Sequence, residues 1–368
     1  MKTVILTDGK YRSAISAART FGRAGYHVVV VQARDDTAVS PPVFSSRYVA
    51  EALWMDGSAD DTGYADQLLA LVQRHDHPVL FPVGVATLNT VSRAREAFAP
   101  WCDFLIAPPD VLERVNDKEA VHQRAAELGL PVPKAYYGAP DRYPVIVKPH
   151  CGEKFGLTAA DRYVIANNPS ELSKALVSMQ RYDPAPIVQE VVSGSGNSAC
   201  VLLGRDGQLL DAFCHRRIRE YPVSGGPSAC CESVYDAEKI NAAHRLLNSF
   251  GFVGLAMVEF KGDLILEINP RVWGSFPLTT LADSPIALRY AEAAAGEPVE
   301  YRPCDYHTGI RMRFVLNDTL ATLSLVRHGR LRDAAAGFGD MFRAYEALYD
   351  PDDPAPMRAY LKSTILRK

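Results

Sequence analysis

Short runs of hydrophobic residues alternate along this chain with helically spaced ones. "TVILTD" is an apolar run of strand length, and "HVVVVQA" is a second one. Between them "SAISAARTFGRAG" carries its apolar residues at helical spacing and stops at Gly25. Strand, helix and strand within about thirty residues predict a parallel βαβ unit, because parallel neighbours require a crossover. The helical "YADQLLALVQRH" leading into "PVLFPVG" and then "WCDFLIAP" repeats the pattern, so the first third reads as a small doubly wound domain. Its first turn, "TDGKYRSAIS", lacks the three-glycine dinucleotide fingerprint, so no nicotinamide cofactor is expected there.

A helix is predicted over "NDKEAVHQRAAELGLPVP", with Asn116 as N-cap, Glu119 completing a capping box, and Gly129 and Pro131 ending it. The boundary between the first two domains falls just before it, near "APPDVLERV". Further on, "GSGNSA" fits G-x-G-x-x-A, but the apolar strand "CVLLG" follows where a dinucleotide site needs a helix. A glycine-rich hairpin loop is the better reading. No G-x-x-x-x-G-K-[ST] run is present.

Four polar interruptions of apolar strands carry candidate chemistry. "LAMVEFKGDLILEIN" predicts a hairpin around "KGD"; a three-residue connection would put Glu259 on the face of Glu267 and Asn269. Two carboxylates and an amide are hard ligands suited to Mg²⁺. The same pattern fits the wet side of a half-exposed antiparallel sheet. "YPVIVKP" ends in Lys148 before the glycine-containing loop "HCGEKFG", an arrangement that can neutralise phosphate or simply cap an edge strand. "APIVQEVVSG" is polar only at Gln189 and Glu190, which suits a flat heterocycle as well as an edge strand. In "FCHRRIREYP" alternation puts His215, Arg217 and Arg219 on one face and Arg216 on the other, either to hold an anion or to meet solvent.

Composition narrows the class. A length of 368 residues implies two or three domains, and 48% hydrophobic with 23% charged residues fits a protein with a full core. The net charge of -3 and pI near 6.3 supply no basic field, so neither nucleic acid nor a membrane surface is an expected partner. "MKTVILTD" is too short for a signal peptide, no run is long enough to span a membrane, and the expected location is cytoplasmic. Seven cysteines without a CxxC pair indicate neither zinc nor disulfides, and Cys230 and Cys231 read as small hydrophobes.

The order of these stretches carries a resemblance. A Rossmann-like opening, a capped helix with Lys118, then "VIVKP", "VQEVVSG", "MVEFKGD" and "LEINPR" resemble the ATP-grasp superfamily, which includes D-alanine–D-alanine ligase, biotin carboxylase and carbamoyl phosphate synthetase. The likeness spans roughly residues 1–300, and "HRRIREYPVSGGPSACCESV" further resembles a group of predicted ATP-grasp ligases. The fold implied is α/β and α+β. A Rossmann-like domain (1–111) precedes a two-lobed ATP-grasp domain, with a small lobe (112–187), a large Mg·ATP lobe (188–300) and a C-terminal extension (301–368).

The resemblance implies that Lys118 and Lys148 contact the nucleotide phosphates. Gln189 and Glu190 would lie beside the adenine, with the Val192 N–H bonding it. Glu259, Glu267 and Asn269 would hold two Mg²⁺ ions, or Mn²⁺, with Glu267 bridging them. Arg271 would hold an acyl phosphate or substrate carboxylate, and Arg217 would be a second phosphate contact. "HCGEKFGL" has fewer glycines than the usual phosphate-covering loop, and "SGNSAC" stands where the family often places an acidic ribose contact. The implied reaction forms an acyl phosphate from a small carboxylate and ATP, then an amide with an amine, amino acids being candidate substrates. A thiol or bicarbonate variant and a non-catalytic nucleotide-binding regulator are the alternatives. The segment after residue 300 predicts a strand at "TGIRMRFVLND" and helices at "TLATLSLVRHG" and "MFRAYEALY", with no chemistry of its own, packed beside the ATP-grasp domain or at a homodimer contact.

Overall fold

Strands β1 (Thr3–Leu6), β2 (His27–Arg34), β3 (Val49–Asp56) and β4 (Val79–Phe81) form a parallel sheet in the order β3-β2-β1-β4. The computed structural model describes residues 1–34, 39–151, 157, 162–223 and 226–366. Residues 4–6 of β1 and 28–31 of β2 are continuous apolar runs because both faces of the sheet are covered there. Ile5, Val29 and Val31 join one core with Tyr64 and Leu68, while Val4, Leu6, Val28 and Val30 join a second with Ile15, Ala18 and Phe21 of the helix Arg12–Arg23. The sequence reading missed β3, whose burial alternates weakly because it is the sheet edge. "WCDFLIAP" contributes only isolated bridges, Val79 with Asp103 and Ile106 with Gly254.

β5 (Val145–Lys148), β6 (Val164–Ala166) and β7 (Ile187–Glu190) make an antiparallel three-stranded sheet in the order β6-β5-β7. A seven-stranded sheet follows from β8 (Gly196–Leu203), β9 (Leu209–Glu220), β10 (Ser228–Val234), β11 (Gly254–Lys261), β12 (Leu264–Asn269), β13 (Arg311–Arg313) and β14 (Tyr345–Glu346). Its order is β12-β11-β8-β9-β10-β13-β14. One face, with Ala199, Val201, Ala212, Cys214, Ala256 and Val258, packs on Ile240, Ala243 and Leu247 of the helix Ala237–Ser249. The other, with Cys200, Leu202, Phe213, Leu255 and Met257, packs on Trp273 and Phe276.

Several local expectations change. Asn116 does not cap the helix Lys118–Glu127; it ends the preceding helix, Pro109–Asn116, and donates to the Leu112 carbonyl. Asp117 is the cap, its carboxylate accepting from the Glu119 and Ala120 N–H groups, because a proline-started helix runs straight up to it. "GSGNSA" is not a hairpin loop: Gly194 and Ser195 end the link from β7, and residues 196–199 open β8, which belongs to a different sheet. "MFRAYEALY" is not helical: Tyr345 and Glu346 pair with β13, and the Glu346 carboxylate accepts from the N–H groups of Leu348 and Tyr349, closing a turn. Residues 152–156 of "HCGEKFGL" and 224–225 of "REYPVSGGPSA" lie outside the described residues.

The C-terminal segment is tied back to the opening domain. Asp353, 2% exposed, accepts from Arg19 Nε at 2.9 Å, Ser46 Oγ at 2.8 Å and the Arg47 N–H at 2.9 Å. Removing one partner of a buried ion pair strands the other's charge. Asp353→Ala is therefore expected to lower unfolding free energy by about 3 kcal/mol, read as a shift of the urea midpoint. Among the described residues no helix is long and apolar enough to cross a membrane.

Candidate active site

The candidate residues converge because of a register adjustment in the β11–β12 hairpin. Lys261 pairs with Leu264 and Phe260 with Ile265 across the two-residue turn Gly262–Asp263, where Gly262 takes φ 59°. Continued regularly, that ladder would set Glu267 opposite Val258 and turn its carboxylate into the apolar core. Leu266 instead stands as an unpaired bulge residue, so Glu259 pairs with Glu267, Val258 with Ile268 and Met257 with Asn269. Glu259, Glu267 and Asn269 thus share a face, as the sequence pattern required. The device is a tight turn plus a bulge rather than the three-residue connection expected.

A second irregularity corrects the arginine assignment. Cys231 pairs with Arg217 but Cys230 pairs with Arg219, leaving Ile218 bulged. Arg217 stays with His215 on the Glu259 face, while Arg219 joins Arg216 on the opposite face. There Arg219 bonds Asp318 and Asp340 at 2.7 Å each, which makes it a structural tie to the C-terminal helices.

On the polar face, cations and anions interleave. Lys118 Nζ lies 3.1 Å from Glu267 Oε2, and Arg217 Nη2 lies 3.1 Å from Glu259 Oε2. Arg217 also donates to Ser228 Oγ at 3.0 Å, the Gly226 carbonyl at 3.3 Å and Glu220 Oε2 at 3.2 Å. Asn269 Nδ2 donates to Glu259 at 3.3 Å, and Arg271 Nη2 donates to Asn269 Oδ1 at 3.4 Å. Lys148, at the end of β5, completes the cluster electrostatically: burial and then the neighbouring Lys118 push its pKa down to about 8. Burial would raise Glu267, but Lys118 and Lys148 overcome it and hold the carboxyl at about 2. Burial raises Glu259, with Arg217 opposing the shift.

Among the described residues no group of three or more His, Cys, Asp or Glu side chains is arranged to hold a metal ion, so a cation here would take two carboxylates and an amide from the protein. That donor set fits Mg²⁺, which completes its shell with phosphate oxygens and water. The protein's cations now occupy those carboxylates and would have to give way to the ion and its phosphates.

The remaining candidates sit apart. Gln189, 1% exposed, bonds His122. Glu190 accepts from the Lys134 N–H and from Arg142 of its own lobe, and Val192 lies half-buried in the link to β8. Among the described residues neither bonds the cluster. Two histidines escaped the sequence reading. His150 bonds Asp183 at 2.9 Å and Glu119 at 2.8 Å, and its carbonyl accepts the Lys118 N–H. His122 stands one helical turn from Lys118, and that i,i+4 spacing was the available signal. Arg271 also lines a narrow apolar cleft with Pro82, Leu105, Leu255 and Tyr290.

The model of the ATP-grasp domain family matches residues 115–275, a span that begins ahead of Lys118 and ends beyond Arg271. Residues 115–275 are thus similar to an ATP-grasp domain. It is 24% identical over 311 residues to the carbamoyl phosphate synthase large chain of Streptomyces avermitilis, covering 78% of this chain and 27% of that protein. The Vibrio cholerae large chain is 25% identical over 319 residues with the same coverage. This chain therefore spans about a quarter of the length of those relatives. Among solved structures, the biotin carboxylase domain of Hydrogenobacter thermophilus 2-oxoglutarate carboxylase, in complex with MgADP and bicarbonate, matches with a TM-score of 0.63 at 15% identity, covering 84% of this chain and 73% of that one. N5-carboxyaminoimidazole synthetase from Staphylococcus aureus matches with a TM-score of 0.61 at 17% identity, covering 81% and 78%. The likeness in fold to these structures thus extends well beyond residues 115–275.

Proposed function

We propose that this protein is an ATP-dependent ligase that converts a small carboxylate to an acyl phosphate and passes the acyl group to an amine, releasing ADP and phosphate. The observation that carries the reading is the single polar face on which Lys118, Lys148 and Arg217 interleave with Glu259, Glu267 and Asn269. A triphosphate needs cations, and its metal needs hard oxygen donors; this face has both in alternation. Glu259, Glu267 and Asn269 would hold Mg²⁺, which neutralises developing charge on the transferring phosphoryl group. Lys118 and Lys148 leave Glu267 for phosphate oxygens, and Arg217 steadies the same group. Arg271 orients the carboxylate for attack on the γ-phosphorus, with the substrate's remainder against the apolar cleft. None of these side chains needs to form a covalent bond. The chemistry is positioning and charge neutralisation.

Bicarbonate as the carboxylate is the second reading. It is favoured by the relatives, whose names specify carbamoyl phosphate synthesis and biotin carboxylation, one structure holding bicarbonate itself. Nucleotide product analysis tests both. Purified protein with Mg·ATP and pooled amino acids and small carboxylates is expected to give ADP and phosphate only when substrate is present. Turnover dependent on bicarbonate alone would select the second reading, and AMP with pyrophosphate would overturn both.

A further inference from the structure

His122 takes no part in the chemistry above, yet its ring bonds both β7 and β12. It is 7% exposed, on the helix whose first residue is Lys118. Its Nε2 lies 2.9 Å from the carbonyl of Leu266, the bulge residue that sets Glu267 opposite Glu259. Its Nδ1 lies 2.7 Å from Gln189 Nε2 on β7, which belongs to the other sheet.

The proton positions follow from the partners. A carbonyl oxygen only accepts, so Nε2 carries the hydrogen. Burial, with Lys148 and Lys118 nearby, keeps the imidazole neutral by lowering its pKa to about 4, although Glu267 opposes the two lysines. Nδ1 is then a lone pair, and Gln189 must offer it an amide N–H. The Gln189 amide is thereby fixed end for end, and among the described residues no group bonds its Oε1.

We propose that His122 is a positioning residue that sets nucleotide selectivity and metal affinity through separate ring atoms. Through Nδ1 it holds Gln189 with its amide oxygen as the free acceptor, matching a base with an exocyclic amine at position 6 and mismatching one with a carbonyl there. Through Nε2 it pins the Leu266 bulge, and so the spacing of the two metal carboxylates. This rests on the nucleotide reading above, with the base beside β7.

The two arms separate because an Asn amide reaches the position of Nδ1 and a Gln amide that of Nε2. Full-length wild type, His122→Gln and His122→Asn are titrated with Mg·ATP and with Mg·GTP by calorimetry, and with Mg²⁺ at fixed ATP. His122→Gln is expected to lose about tenfold in its preference for ATP over GTP with its Mg²⁺ requirement unchanged. His122→Asn is expected to keep the preference and to need severalfold more Mg²⁺. Gln189→Leu should reproduce the first loss, and adding it to His122→Gln should cost nothing further. Wild type that prefers ATP beside variants that match it, or a reversal of the two variants, overturns the role of His122. Wild type that binds ATP and GTP equally overturns the base arm, and wild type that binds neither overturns the nucleotide site together with this inference.

Discussion

Replacing Glu267 by Gln is expected to lower ATP turnover by about 10³-fold while leaving the protein folded. Gln keeps the shape and one oxygen, but it removes the charge on which Lys118, Lys148 and any bound cation converge. Two lysines then face each other with less counter-charge, so Lys148 should lose its proton at a still lower pH. Glu267 also stabilises the ligand-free fold. Its carboxyl is held at about 2, below the ordinary 4.5, so its contribution is complete above pH 4.5 and disappears as pH falls through 2. The variant should therefore lack that part of the acid-side stability profile. Steady-state ADP release and urea melts at several pH values read the two effects separately. Unchanged turnover in a well-folded variant would remove Glu267 from the metal site.

Lys148→Met is expected to weaken Mg·ATP binding about 30-fold, ~2 kcal/mol, the scale of a hydrogen bond to a charged group. The pH dependence is the sharper signature. In the free protein Lys148 titrates at about 8, so affinity for Mg·ATP should fall about tenfold per pH unit above that point, and the Met variant should lose this slope. Stability moves the other way. Between pH 8 and the ordinary 10.5 the unfolded lysine binds more protons than the folded one, so the lysine's contribution to stability rises with pH across that window. Wild type minus Lys148→Met isolates the term. Opposite slopes for binding and folding would identify a lysine held in a compromised environment for its ligand; parallel slopes would assign Lys148 a structural role.

Much of the architecture was legible because hydrophobic periodicity reports directly on burial. The continuous apolar runs of β1 and β2 announced a sheet covered on both faces, and the polar breaks at Lys148, Glu259, Glu267 and Asn269 marked side chains that the fold gathers into one charged cluster. Errors gathered where period-two counting fails. The Leu266 and Ile218 bulges each insert one residue into a ladder; the first kept Glu267 on Glu259's face, and the second sent Arg219 to the opposite one. The cap moved from Asn116 to Asp117 because two helices abut, and either residue type can cap.

By itself, then, the amino-acid order determined much of the alternation of elements and the types of the candidate side chains, since these depend on local propensity and spacing. Tertiary structure alone decided which charges meet. Lys118 and Glu267 are separated by most of the span 115–275 yet lie 3.1 Å apart, and Asp353 near the C-terminus closes on Arg19. It also decided the role of His122, whose two partners come from two different sheets. Such pairings are set by how sheets stack and where ladders slip, and no periodicity within a single strand or helix encodes them.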